Sequence, residues 1–338
     1  MGALEHGPFF RGDRDAMFRA AQICDGAPAW PDLFGGGSAP RIGKIFGRVA
    51  GGVRLYRRLT PFPNMRSLTL ALVTVALLFS RASAADTPKP LRALLVIGGC
   101  CHDYAAQKDI LKAGLEARAN LKIDIAFSAD KNTSPALPIL GHADYAKGYD
   151  VVIHDECGAD IKDPALIAAV LAPHRAGIPG VNLHCAMHSY RIGPPATPAE
   201  KGSERAAWFD YLGIQSSGHG PKLPIVISFA ADKGPIGRGF AEWKTGDEEL
   251  YNNIVVHPTA TVLARGKQVV KEKESDYAVV WTNDYQGTRV FSTTIGHNNE
   301  TVSDARYLDL VTRGLLWACK KLDAAGNPMQ GYGPVAAK

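Results

Sequence analysis

The sequence predicts an α/β fold: an open, mostly parallel sheet with helices on both faces and a C-terminal hairpin. Three observations predict it. Short apolar runs alternate with helical spacing from residue 91 to residue 184, the pattern of strand–helix–strand units. A later pair of β-rich runs flanks a turn-rich connector at residues 283–287. Hydrophobic content of 46% with 21% charged residues is that of a globular chain with a sizeable core.

Leu91 to Gly99 is an apolar run ended by paired glycines, which suits a buried parallel strand. Tyr104 to Ala119 has helical spacing through Ile110, Leu111 and Leu115, and Lys122 to Phe127 is a second strand. Tyr149 to His154 is a third, ending in Asp155 and Glu156. Asp163 and Pro164 then open a helix through His174, as N-cap and first-turn residue. Ile178 to His184 is a fourth strand. From Pro194 glycine and proline are frequent, and Ile225 to Phe229 and Thr261 to Ala264 suggest short strands. Tyr277 to Trp281 and Arg289 to Ile295 form the hairpin. A last helix spans Ser303 to Leu322, with Leu308, Val311, Leu315 and Leu316 on one face. One domain, residues 88–325, is expected, followed by a tail at 326–338.

The net charge of +5 sits upstream of this domain. Residues 1–64 hold nine Lys/Arg against five Asp/Glu, whereas residues 85–338 hold 27 against 28. No basic stripe interleaved with aromatics is present there, which argues against a nucleic-acid partner. Met65 and Arg66, the apolar run Leu68 to Phe79 and Ala82-Ser83-Ala84 read as a secretory signal, residues 65–84, cleaved after Ala84. The run is shorter than the ~20 apolar residues of a membrane span, so no stable anchor is expected and the product is periplasmic or secreted. Residues 1–64 carry no sustained period and are a disordered leader or lie upstream of the true start. Five cysteines follow the signal; an odd number with two adjacent is no disulfide framework, and the pairing of any one bridge stays open.

In open parallel sheets ligands bind beyond the carboxyl ends of the strands. The first strand delivers Cys100, Cys101, His102 and Asp103 to that crevice. The third delivers Asp155 and Glu156, and the fourth His184, Cys185 and His188. Of nine histidines after Met65, His102, His184, His188, His219 and His297 fall at strand ends or in glycine-rich loops. His184 with Glu156 makes an acid/base pair, and His102 with Asp103 a second. The blander reading of Asp103 is the N-cap of the following helix. His102, Glu156 and His184 are also candidate ligands for a divalent metal, zinc by pattern. No G-x-G-x-x-G or Walker sequence supports a nucleotide cofactor.

Several blocks carry a family likeness. They are Tyr149 to Ile153, Ile178 to His184, Trp208 to Gly213 with Gly218-His219, and Glu248-Glu249-Leu250-Tyr251. Val280-Trp281-Thr282, Gly287 to Phe291, Gly296-His297 and Arg313 to Trp317 follow in order. Over about residues 91–320 the chain resembles the ThuA (trehalose utilisation) family. The resemblance implies a flavodoxin-like sheet of class I glutamine amidotransferase type, and an enzyme of sugar catabolism acting on a disaccharide or keto-sugar derivative, hydrolase-like or lyase-like. His188, His219, Glu249 and His297 are expected to line the substrate pocket, with Trp281 a candidate to stack on a sugar ring. Glutaminase activity is not expected, because His184 holds the nucleophile slot with Cys185 one residue beyond, and His257-Pro258-Thr259 lacks the partner acid. The alternative is a non-catalytic carbohydrate-binding module on the same fold. A homo-oligomer, or assembly with other exported proteins, is compatible with the sequence.

Overall fold

The computed structural model describes residues 88–335; the expected leader and signal segment lie outside the described residues. The first half comprises β1 (Leu91–Gly98), α1 (Tyr104–Glu116), β2 (Leu121–Ser128), β3 (Val151–Glu156), α2 (Pro164–Arg175) and β4 (Gly180–Leu183). The second half comprises α3 (Ala207–Leu212), β5 (Ile214–Phe229), α4 (Gly234–Gly237), β6 (Trp243–Val256), β7 (Ala260–Val270), β8 (Lys273–Tyr285), β9 (Thr288–Thr293), α5 (Asn299–Ser303) and α6 (Ala305–Ala318). The nine strands among the described residues belong to one sheet, in the order β2-β1-β3-β4-β9-β8-β7-β5-β6.

The sheet is mixed, which corrects the expectation of a mostly parallel one. Neighbours from β2 to β9 run parallel. Neighbours from β9 to β6 run antiparallel. The second half lacks the apolar continuity of buried parallel strands because its strands are long and partly solvated. Pro221 and Pro224 interrupt β5, yet β5 pairs with β7 only from Val226 to Phe229, so both prolines lie where β6 is the sole neighbour. A proline without a ladder partner on one side is tolerated there, and the register shifts along β5 and β6 absorb the irregularity.

Helices cover both faces. On one, α1 buries Tyr104, Gln107, Leu111 and Leu115 as a single stripe, and α6 buries Leu308, Val311 and Leu315 beside it. Each fully buried leucine contributes about 1.5–3 kcal/mol. On the other face, α2 and α3 cover Leu94, Val96 and Val152 with Ile167, Leu171, Trp208 and Tyr211. The expected last helix is α6, beginning at Ala305 because Asp304 caps it by accepting from Arg306 N, and ending at Ala318. The hairpin turns at Gln286 and Gly287, with φ of 56° and 87°. Two successive positive φ values match the right-handed twist of the flanking strands β8 and β9. Residues 326–335, expected as a tail, lie against the sheet: Asn120 N donates to Tyr332 O, and Asn120 Nδ2 to Gly331 O.

Candidate functional site

Five chain segments build the site. Gly98 and Gly99, at φ 139° and 111°, let the chain leave β1 between its neighbours, where a Cβ would lie 2.4 Å from Ser128 O and 2.8 Å from Cys157 O. That turn carries Cys100 to Asp103 over the strand ends. β4 pairs with β9 so that Leu183 is beside Thr293, and the next residues, His184 and Thr294, emerge side by side. His184 takes the left-handed backbone, φ 37°, which is rare for a side chain of this size and turns the chain sharply. Beyond β9, His297 is held by its backbone N–H, which donates to both carboxylate oxygens of Glu248 at 3.0 and 3.1 Å. From the antiparallel half, β6 brings Glu249 and Tyr251 while β5 brings His219.

Three imidazoles meet. Ring centroids of His102 lie 4.7 Å from His184 and 4.6 Å from His297, and those of His184 and His297 are 5.4 Å apart. One nitrogen from each falls within 4.8 Å of the other two. Glu249 Oε2 is 3.4 Å from His297 Nδ1, 3.5 Å from His184 Nε2 and 3.7 Å from His219 Nε2.

The protons can be placed by what each nitrogen faces. A carbonyl oxygen only accepts, so His184 Nδ1 donates to Thr294 O at 2.6 Å and His102 Nδ1 donates to His297 O at 3.0 Å. Burial pushes both rings toward the neutral form, His184 down to about 4. Nε2 of each neutral ring is then a lone pair. Burial alone would raise the Glu249 carboxyl; a proton or a cation lying between it and His184 and His297 is what holds it ionised, well below the usual range. The buried His184 Nε2 and His297 Nδ1 have no hydrogen-bond partner. The His184 lone pair, the unpartnered His297 Nδ1 and the Glu249 carboxylate therefore converge. Such an arrangement is costly as it stands and is what a divalent ion resolves.

The donor set fits. Three imidazoles and one carboxylate suit a borderline first-row dication such as zinc, and backbone carbonyls orienting the far ring nitrogen are the usual second layer of such centres.

Several sequence expectations change here. Glu156 does not enter the crevice: β3 runs through it, pairing Gly98 with Glu156, so its side chain points with His154 into the α2 face. There it is fully buried, 2.8 Å from His154 Nδ1 and accepting from Tyr190 Oη at 2.6 Å. Neither the acid/base pair with His184 nor the metal-ligand role assigned to Glu156 survives this placement. Asp155 points to the other face, and burial raises its carboxyl well above the usual range. Asp103 caps α1, accepting from Ala106 N and from Asn299 Nδ2, so it does not pair with His102. Trp281 is fully buried and donates to Leu212 O; it is core, not pocket wall. His188 is buried, stacks on Tyr251 at 4.0 Å and lies 2.9 Å from Ser216 Oγ. His219 is 42% exposed and stands at the mouth.

The pairing of the sulfurs was the part the sequence left open. Cys100 and Cys101 form a disulfide. Cys157 Sγ lies 3.3 Å from Cys100 Sγ, and Cys185 Sγ 2.9 Å from His102 Nε2. The adjacent cysteines just before His102 were the available signal.

A mixed α/β sheet with a histidine cluster at its strand ends defines the class. The chain belongs to the ThuA (trehalose utilisation) family, whose model matches residues 92–318. Among solved structures it is similar to a ThuA-like protein from Parabacteroides merdae, at 18% identity and TM-score 0.54, covering 73% of this chain and 97% of that one. It is also similar to a ThuA-like protein from Bacteroides uniformis, at 17% identity and TM-score 0.51, covering 73% and 98%. These likenesses show the fold. No curated protein matches the sequence.

Proposed function

We propose that the chain is an exported enzyme of sugar catabolism, acting on a disaccharide or a keto-sugar derivative at a metal centre held by His102, His184 and His297. The observation that carries this reading is the proton count. Two ring N–H groups are committed to carbonyls, which leaves the His184 Nε2 lone pair facing Glu249 and that of His102 facing Cys185 Sγ. Held by these rings, a dication would supply Lewis-acid polarisation of a substrate carbonyl or hydroxyl oxygen, and Glu249 would balance its charge. His219, beside Glu249 and open to solvent, moves the proton, with Nδ1 fixed 2.9 Å from Gly220 O. The His188–Tyr251 stack forms a flat wall behind them. The sugar assignment is supported by the family's association with trehalose utilisation, and the parallel half of the sheet by its strand order supports a flavodoxin-like core.

The test is a screen of the purified protein against disaccharides and their keto forms. Turnover should fall to background on chelation and return with zinc, and His219→Ala should lower it by about 10²–10⁴ with the metal retained. Full turnover after exhaustive chelation would refute the reading.

A further inference from the structure

A second cluster of metal-ligating side chains lies beside the histidines and is used by nothing above. The register that sets Gly98 beside Glu156 also sets the residues after β1 against the residue after β3. Sulfurs of Cys100, Cys101 and Cys157 consequently lie within 4.8 Å of one another, with Cys157 Sγ 3.3 Å from Cys100 Sγ. Cys157 is 4% exposed, whereas Cys101 is exposed and Cys100 half-buried. The cluster thus has a dry floor and an open rim. A buried free cysteine ordinarily packs against carbon as a small hydrophobe. Cys157 instead sets its sulfur 3.3 Å from that of Cys100.

We infer that Cys100, Cys101 and Cys157 form a second metal site, open when the Cys100–Cys101 disulfide is reduced, whose ligand is a soft monovalent cation of the Cu(I) class. Softness separates the two centres. Three thiolates select Cu(I), whereas three imidazoles with a carboxylate suit a borderline dication. The disulfide is the closed state, because it occupies two of the three sulfurs. Opening it needs a dithiol reductant. Two electrons and two protons pass to Cys100 and Cys101, their S–S bond breaks, and the reductant becomes a disulfide. The cation then displaces thiol protons to solvent without changing its own oxidation state.

The test is competition for Cu(I) between the full chain and a chromophoric Cu(I) chelator under anaerobic conditions. Protein reduced with dithiothreitol and desalted should withdraw one equivalent, and the oxidised protein none at that site. Cys157→Ser and, as the rim variant least prone to disturb the fold, Cys101→Ser should each weaken binding at least tenfold. His184→Ala should bind Cu(I) as wild type does, while losing zinc. Failure of the reduced protein to compete would overturn the inference, as would wild-type affinity in both serine variants. Loss of Cu(I) in His184→Ala with retention in Cys157→Ser would overturn it too, by placing the copper among the histidines.

Discussion

His184 and His174 are both buried neutral histidines with Nδ1 held by a backbone carbonyl, yet they sit in opposite surroundings. His184 Nε2 faces the Glu249 carboxylate at 3.5 Å. His174 donates from Nδ1 to Ile178 O at 2.7 Å and accepts at Nε2 from His154 Nε2, 3.1 Å away. His154 Nδ1 and Glu156 Oε1, 2.8 Å apart, then share the remaining proton. Every ring nitrogen of that network is satisfied, which marks it as structural and explains why Glu156 is not free for chemistry. Burial pushes His174 down to about 3, against an ordinary value near 6.5. The unfolded chain therefore binds this proton below about 6.5, whereas the folded chain resists it until about 3. Stability is fully present above that window and falls as pH drops through it. One buried histidine adds about 1.4 kcal/mol per pH unit to the slope. Chemical denaturation of His174→Gln between pH 4 and 6 should show a slope shallower than wild type by about one proton. An unchanged slope would mean that His174 is not held neutral.

At the scale of elements, the strands and helices up to β4 were legible because buried parallel strands are continuous apolar runs and α2 carries its cap and proline in sequence. What failed was a boundary. Polar residues at 154–156 looked like the end of a strand, but β3 continues through them, since a buried hydrogen-bonded network accommodates His154 and Glu156 inside the sheet. Two residues of extra strand moved Glu156 from the crevice to the opposite side of the site. β5 to β8 were underread for a different reason. Their glycines, prolines and bulges break period-2 alternation, so four strands of 11–16 residues looked like a loose region with short β pieces. That half supplies Glu249, His219 and Tyr251. The histidines at 102, 184 and 297 could be recognised from residue type and position. The acid that joins them could not be ranked above Glu156 without knowing that β6 folds back over the strand ends.

Taken as a whole molecule, the described domain joins two kinds of sheet, and the site lies where they meet. Parallel strand ends contribute His102 and His184, the loop after β9 contributes His297, and the antiparallel strands contribute the carboxylate. The leading segment bears on where such a domain works. If Met65 to Ala84 is an export signal, N-terminal sequencing of the protein recovered outside the cytoplasm should begin at Ala85; a mature chain retaining residues 1–64 would show otherwise. The central claim is that histidines from these separate segments hold one ion. Zinc content after equilibrium dialysis of the purified full chain tests it most directly. About one equivalent is expected in wild type, with its loss in His184→Ala and in His297→Ala and its retention in Trp281→Phe, all three remaining folded by circular dichroism. Folded wild-type protein that retains no divalent metal, or a His184→Ala variant that retains the full equivalent, would contradict it.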